Sequence, residues 1–321
     1  MPLPSMNIWK SLRGLPRDVW VLAVASLINR AGTMVLPFLV LYLTRELGFS
    51  APRAGLALAI YGAGAIVAGP ISGRLTDSIG PVPIMRASLI LTGVLLLAYP
   101  FVTGFAGVLA MTLAWAIVNE MFRPANMAMI AEIVPTEKLK PAYALTRLAI
   151  NVGMSVGPAV AGFLATRSFF SIFIVDAMTT IAAGIVLVAT PLSYAPVKPV
   201  HHSGSERAKA FRPIILDDRR MLLFLTAIFL TGAVFFQHEG ALPLFLVNDL
   251  HLSPAFYGML FTVNTLLIVF TEVPLNAATA TWPHKRGLTI GAALFAIGSG
   301  GLALATGPAA IVASIVVWTF G

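Results

Sequence analysis

Long apolar stretches separated by short polar punctuation run the length of the chain. Read against the roughly 20 residues that an α-helix needs to cross about 30 Å of hydrocarbon, they predict helices over 19–44, 53–77, 84–102, 105–132, 140–166 and 168–192. After a polar segment, four more are predicted over 221–248, 254–280, 286–305 and 308–321. The short alternating segments of a transmembrane barrel do not occur, so the expected fold is all-α and polytopic. The polar segment divides the chain into an N-terminal six-helix bundle (1–192), a cytoplasmic linker (193–220) and a C-terminal bundle (221–321). A weak internal repeat supports two related halves. Leu36-Pro37-Phe38-Leu39 and Gly48-Phe49-Ser50 through Gly55 are echoed 203–206 residues later by Leu242-Pro243-Leu244-Phe245 and His251-Leu252-Ser253 through Gly258. The last apolar run is still open at Gly321, so about ten helices are present. The second six-helix bundle therefore reads as incomplete, and the chain as truncated at its C-terminus.

Composition agrees with a protein whose solvent is lipid: 58% of residues are hydrophobic, 11% are charged, and the mean hydropathy is +0.89, which sets aside soluble classes. Charge then orients the chain. With the N-terminus cytoplasmic, the inner segments carry Lys10, Arg13, Arg17, Arg74, Arg86, Lys138, Lys140, Lys198, Arg207, Lys209, Arg212, Arg219, Arg220, Lys285 and Arg286. The outer loops hold only Arg45, Arg53 and Arg167. Such segregation predicts a multi-pass protein of the plasma or inner membrane. Lys10, Arg13 and Arg17 ahead of an apolar run imitate a signal peptide, but the run is too long and contains Arg30. The net charge of +8 is scattered through loops rather than gathered in a stripe, so no nucleic-acid partner is expected.

Little enzymatic chemistry is available. Cysteine is absent, which removes disulfides, thiolate metal sites and cysteine nucleophiles. His201-His202 in the linker has no further ligands at fixed spacing, and no phosphate-binding glycine loop or nucleophile turn is found. The chain reads as a non-enzyme without cofactor or metal, using an ion gradient or the gradient of its own substrate.

Ionisable groups at membrane depth cost at least about 2.5 kcal/mol at the helix centre unless paired or wetted, which makes them functional candidates. Arg30 follows Asn29 in the first helix; Glu120 and Arg123 share a face of the fourth; Gln237, His238 and Glu239 cluster in the seventh. The candidate substrate and proton pathway comprises Arg30, Glu120, Arg123, Asp176, Glu239 and Asn264. Glu239 leads, because a carboxylate facing a movable cation can change protonation during a cycle. The competing reading places Glu239 near the outer surface, where Pro243 bends its helix. Glu120 with Arg123 reads equally well as a permanent ion pair. Glu272 is expected to approach the cytoplasmic surface, and Asn151 and Asn264 to serve mainly as interhelical glue.

Two motifs carry a resemblance. Gly73-Arg74-Leu75-Thr76-Asp77-Ser78-Ile79-Gly80 follows the second helix, and here the chain resembles the major facilitator superfamily, whose loop signature runs Gly-x-Leu-Ala-Asp-Arg-x-Gly-Arg-Arg. Gly73, Leu75, Asp77 and Gly80 match. Ser78, Pro81 and Val82 replace basic residues of the signature and leave Arg74 and Arg86 as substitutes. In the fifth helix, Gly153, Gly157, Pro158 and Gly162 resemble the G-x-x-x-G-P-x-x-G-G motif of the family's drug and proton antiporters, with Ala161 in place of one glycine. The arginine that family members often carry ahead of a Pro-Ala pair in the fourth helix is absent, since Thr112 and Leu113 stand there. Arg123 is not its equivalent. The resemblance implies alternating access between two six-helix bundles, with the cytoplasmic loop acting as a latch. It points to proton-coupled efflux of small amphipathic molecules, by a monomer whose partners are substrate, protons and the bilayer. Alternatives are an uptake permease for sugars, peptides or organic acids, with Arg30 and Arg123 clamping a carboxylate, and an inactive membrane protein.

Overall fold

The computed structural model describes residues 12, 14–192 and 218–321. Lys10, Arg13, Lys198, His201, His202, Arg207, Lys209 and Arg212, with most of the expected linker, lie outside the described residues. Among the described residues nine helices are long and apolar enough to cross a membrane. They are α1 (Arg17–Arg45), α2 (Ala51–Ile79), α3 (Pro81–Phe101), α4 (Phe105–Ile133), α5 (Thr136–Ala165), α6 (Phe169–Ala189), α7 (Arg219–Asp249), α8 (Pro254–Thr279) and α9 (His284–Ala303). A shorter apolar helix, α10 (Pro308–Thr319), follows. Order and limits agree with the hydropathy pattern to within a few residues.

Local chemistry sets the helix ends. Proline occupies the first turn of α2, α3, α8 and α10, where its missing N–H has no intrahelical partner to lose. The Ser253 hydroxyl caps α8 by accepting from the Phe256 N–H at 3.2 Å. Gly80, with φ of 87°, makes the tight turn from α2 into α3, a conformation that any Cβ would strain.

Three crossings are interrupted, and each interruption follows one rule. Helix α1 divides into Arg17–Ala31 and Val35–Arg45, and α4 into Phe105–Glu120 and Phe122–Ile133. Helix α7 passes through a 3₁₀ turn at Phe236–His238, a short helix at Ala241–Leu244 and a π-turn at Phe245–Asp249. A proline ring removes one helical donor and crowds the carbonyl four residues back. Pro37, Pro124 and Pro243 stand four residues after Thr33, Glu120 and Glu239, where the breaks fall. The repeated Leu-Pro pair of the sequence is thus the cause of matching breaks in α1 and α7. Pro70, Pro158 and Pro274, by contrast, are accommodated inside uninterrupted helices.

At each broken site a neighbouring side chain bonds the backbone, as a lipid-embedded chain requires. Asp176 of α6 accepts from the Met34 and Val35 N–H groups at 3.0 and 2.9 Å. Ser72 of α2 donates to the Met121 carbonyl at 2.9 Å, and Tyr257 of α8 donates to the His238 carbonyl at 2.8 Å.

The two parts of the chain meet chiefly along α5 and α8, the most extensive helix pairing. Small residues permit it: a Cβ at Gly162 would lie 2.6 Å from the Pro254 carbonyl oxygen, and Gly258 abuts the Pro158 carbonyl. At the end of the molecule that holds Arg45, one core cluster joins both parts through residues such as Phe38, Tyr42, Leu246, Tyr257 and Ile311. At the end that holds Arg17, the second cluster draws only on the first six helices, including Leu22, Met85, Met129 and Leu187. The halves are therefore sealed together at one end and closed separately at the other.

Candidate functional site

The interruptions bring charge to the middle of the molecule, where α1, α2, α4 and α7 approach one another. Glu120, the last residue before the break in α4, accepts the Tyr61 hydroxyl at 2.7 Å and the Asn119 amide at 3.0 Å. The Asn119 amide also donates to the Tyr61 hydroxyl oxygen at 2.8 Å, closing a three-membered polar triangle between α2 and α4. Tyr61 lies edge-on to Trp115, whose ring centroid is 4.8 Å away. Glu239, on the break of α7, is 8% exposed. Across the interface it lies within electrostatic range of Glu120 and of Arg30. Arg30, half-buried in the last turn before the break in α1, lies within electrostatic range of Glu239 from one part of the chain and of Asp176 and Tyr61 from the other.

Next to Glu239, His238 has its two ring nitrogens in different roles. Nδ1 lies 2.6 Å from the Phe235 carbonyl oxygen, which can only accept, so Nδ1 carries the proton. Nε2 then faces the Glu239 carboxylate at 3.7 Å and is free to take a proton. His238 and Gln237 also line a cavity of about 440 Å³ between α7, α9 and α10, with Phe235, Phe295 and Trp318 among its aromatic walls.

Other residues singled out by the sequence fall elsewhere. Arg123 is exposed on the far side of the α4 break, and no ion pair between it and Glu120 forms among the described residues. The expected permanent pair is replaced by hydrogen bonds, because the break at Met121 reorients the helix between the two side chains. Asn264 donates to the Thr319 hydroxyl at 2.8 Å and ties α8 to α10. Glu272 makes a 3.0 Å ion pair with Arg147 of α5, across the two parts of the chain, with the Arg147 side chain 65% exposed. Asp176 is 5% exposed and caps the outer half of α1.

In the loop motif, Arg74 and Asp77 are exposed and neither is ion-paired among the described residues. Arg86 reaches the end of α6, donating to the Leu187 carbonyl at 2.9 Å. Gly73 has open space where a Cβ would be, whereas Gly80 is required by its backbone. The fifth-helix motif has clear steric work. A Cβ at Gly153 would lie 2.7 Å from Arg30 Cβ, and one at Gly157 would lie 3.0 Å from the Arg30, Ala31 and Thr33 carbonyl oxygens. These glycines let α5 lie directly against the break in α1.

Sequence reasoning missed Tyr61, Asn119, Tyr257 and Arg147. Tyr61 and Tyr257 read as ordinary aromatics of apolar helices. Asn119 alone offered a signal, as an amide adjoining Glu120.

Comparison with known proteins fits this architecture. The sequence profile of the Major Facilitator Superfamily matches residues 22–321. The uncharacterized MFS-type transporter YqjV of Bacillus subtilis (strain 168) is 23% identical over an alignment covering 98% of this chain and 77% of that protein. A Na(+), Li(+), K(+)/H(+) antiporter of Planococcus maritimus is 22% identical, covering 84% of this chain and 70% of its own length. The quinolone resistance protein NorA of Staphylococcus aureus (strain Mu50 / ATCC 700699) is 25% identical over 69% of this chain and 56% of that protein. Among solved structures, a mutant of the nucleoside transporter NupG superposes with a TM-score of 0.79 at 14% identity, covering 94% of this chain and 79% of that chain. A mutant of the peptide transporter POT, in complex with alafosfalin, gives 0.73 at 16% identity over 98% of this chain and 83% of that chain. These structures are alike in fold.

Proposed function

Because the chain belongs to the Major Facilitator Superfamily of membrane transporters, we propose that it exports small amphipathic molecules in exchange for protons, by alternating access through the inter-half cluster. The observation that carries this reading is that Glu239 of one half lies within electrostatic range of Glu120 and of Arg30 of the other, with Tyr61, the hydrogen-bond partner of Glu120, in range of all three. Glu239 is repelled by Glu120 and attracted by Arg30, so binding a proton at one acid changes the field at the other. A proton taken by Glu239 removes its attraction to Arg30 and frees the halves to part. Its loss restores the attraction and readies the site for the next cycle. His238 Nε2 offers a stopping place for that proton.

Cargo chemistry follows from the walls. Phe235, Phe245, Phe295 and Trp318 line the cavity beside Gln237 and His238, an aromatic surface with few charges that suits amphipathic molecules. Export rather than uptake is supported by the fifth-helix motif and by likeness to a quinolone resistance protein and a cation/proton antiporter. A carboxylate clamp for uptake has less support, since Arg123 is exposed whereas Arg30 is half-buried. Charge segregation orients the N-terminus and the Asp77 loop to the cytoplasm of a plasma or inner membrane.

The test is efflux of ethidium from energised cells expressing the protein, with and without an uncoupler. Uncoupler-sensitive efflux, slowed at least about tenfold by Glu239→Gln, is the expected result. Energised accumulation of ethidium instead of its loss sinks the direction, and unchanged coupling in Glu239→Gln removes that residue from the proton path.

A further inference from the structure

Asp176 is a buried acid that the transport cycle described above does not use. It sits in the middle of α6, 5% exposed, and its Oδ2 accepts from two consecutive backbone N–H groups, Met34 at 3.0 Å and Val35 at 2.9 Å. Its Oδ1 accepts the Thr180 hydroxyl at 3.3 Å, and Thr180 in turn accepts the Asn29 amide at 3.3 Å, so the same carboxylate reaches both sides of the break in α1. Backbone donors that open toward a helix start inside a membrane have no water to turn to, and no side chain of α1 itself caps them. Pro37, in the first turn of this segment, breaks the ladder that would otherwise have used them.

Polarity at the break is matched on both faces. Arg30 lies in the last turn of Arg17–Ala31, at the negative end of that helix dipole, while Asp176 meets the positive end of Val35–Arg45. Among the described residues, Arg30 lies in electrostatic range of Asp176. The glycine face of α5 at Gly153 and Gly157 closes the remaining side.

We infer that Asp176 is a positioning residue: entering from α6, its carboxylate caps the outer half of α1 and thereby fixes the break that aims Arg30 at the acids between the halves. The consequence for transport rests on the proposed role of the Arg30 cluster; the geometry of α1 does not. Asp176 works as a hydrogen-bond acceptor at a fixed distance, so the neutral amide of asparagine, itself a good cap, can replace it. Glutamate, with the same charge on a longer stem, cannot keep both contacts.

The absence of cysteine from the sequence makes the test direct, since one cysteine introduced as Thr33→Cys reports on the break alone. In that background, maleimide labelling is compared for Asp176, Asp176→Asn and Asp176→Glu, alongside ethidium efflux. The asparagine variant is expected to match the parent within about twofold in both readouts. The glutamate variant is expected to change labelling at least about fivefold and to slow efflux. Loss of efflux in Asp176→Asn with labelling unchanged makes the acid a proton carrier and overturns the inference. So does an Asp176→Glu variant that behaves as the parent. If labelling follows the expected pattern while Glu239→Gln leaves efflux intact, the cap stands and the proposed coupling site falls.

Discussion

At the scale of single residues, the site is organised by which polar atoms share a partner. Glu120 has two donors, the Tyr61 hydroxyl and the Asn119 amide, and the two donors are also bonded to each other. Removing one leaves the other in place. Interhelical hydrogen bonds in membranes average about 0.6 kcal/mol by double-mutant cycles, so Tyr61→Phe is expected to lower stability by about that amount. Combined with Asn119→Leu it strands the half-buried carboxylate, and an acceptor that loses its last protein partner there costs about 1 kcal/mol, at the low end of the roughly 1–3 kcal/mol of a fully buried one. The double variant is therefore expected to lose more than the sum of the single ones in thermal unfolding in detergent. Strict additivity contradicts the shared triangle. Of this cluster, Arg30, Glu120 and Glu239 were legible in the sequence, because charge inside an apolar run is conspicuous. Tyr61 was not, because a tyrosine in such a run is ordinary until a carboxylate from another helix is found 2.7 Å away.

At the scale of elements, glycines that look alike in the sequence separate into those with steric work and those without. Gly153 faces Arg30 Cβ and the Ala31 backbone at distances that leave no room for a side chain. Overpacking of this kind costs about 1–3 kcal/mol. Gly153→Leu is expected to show a clearly lower unfolding temperature and slower efflux, because α5 must move off the break in α1. Gly73, the first residue of the loop motif, has nothing within 4 Å of a built Cβ and lies inside helix α2. Alanine there is expected to be neutral or to stabilise by up to about 1 kcal/mol, from helix propensity alone. Side-by-side melting of the two variants checks both, and a destabilised Gly73→Ala shows that the motif glycine has a partner beyond the helices described. Proline obeys a similar division. Pro37, Pro124 and Pro243 interrupt their helices, whereas Pro70, Pro158 and Pro274 do not, and at the breaks Asp176, Ser72 and Tyr257 bond the backbone from other helices.

At the scale of the whole molecule, the two ends are held with different strength. Where Arg45 lies, a core shared by both halves is reinforced by the Tyr257 hydroxyl, whose one proton lies between the His238 carbonyl at 2.8 Å and the Pro37 carbonyl at 3.1 Å, and by Arg45 donating to the Val247 carbonyl at 3.3 Å. At the opposite end the halves are bridged by the Arg147–Glu272 pair, 3.0 Å long but largely solvent-accessible on the arginine side. Exposed pairs contribute about 0–1 kcal/mol, so this bridge biases the opening of that end without locking it. Glu272→Gln is expected to shift the ratio of closed to open forms by no more than about fivefold. Single-molecule energy transfer between dyes at Lys140→Cys and Lys285→Cys, one on each half at that end, measures the ratio. A shift beyond about tenfold means that the pair is a lock rather than a bias.

Hydropathy alone determined that this chain crosses a membrane many times, where each crossing begins and ends, and which ionisable groups enter the apolar region. Each of those depends on local sequence meeting one solvent, lipid. Pro243 also marked where α7 bends, since a proline acts on the carbonyl four residues behind it, whereas the matching break at Pro37 in α1 was read only as part of a repeat. Tertiary structure decided which breaks occur and what each charge does. Asp176 and Glu239 are both acids in apolar helices, yet one meets two backbone N–H groups and becomes a cap, while the other stands in electrostatic range of Arg30 and Glu120 across the interface. A carboxylate takes its role from the donors and charges placed around it, and those are brought by helices 100 or more residues away in the chain.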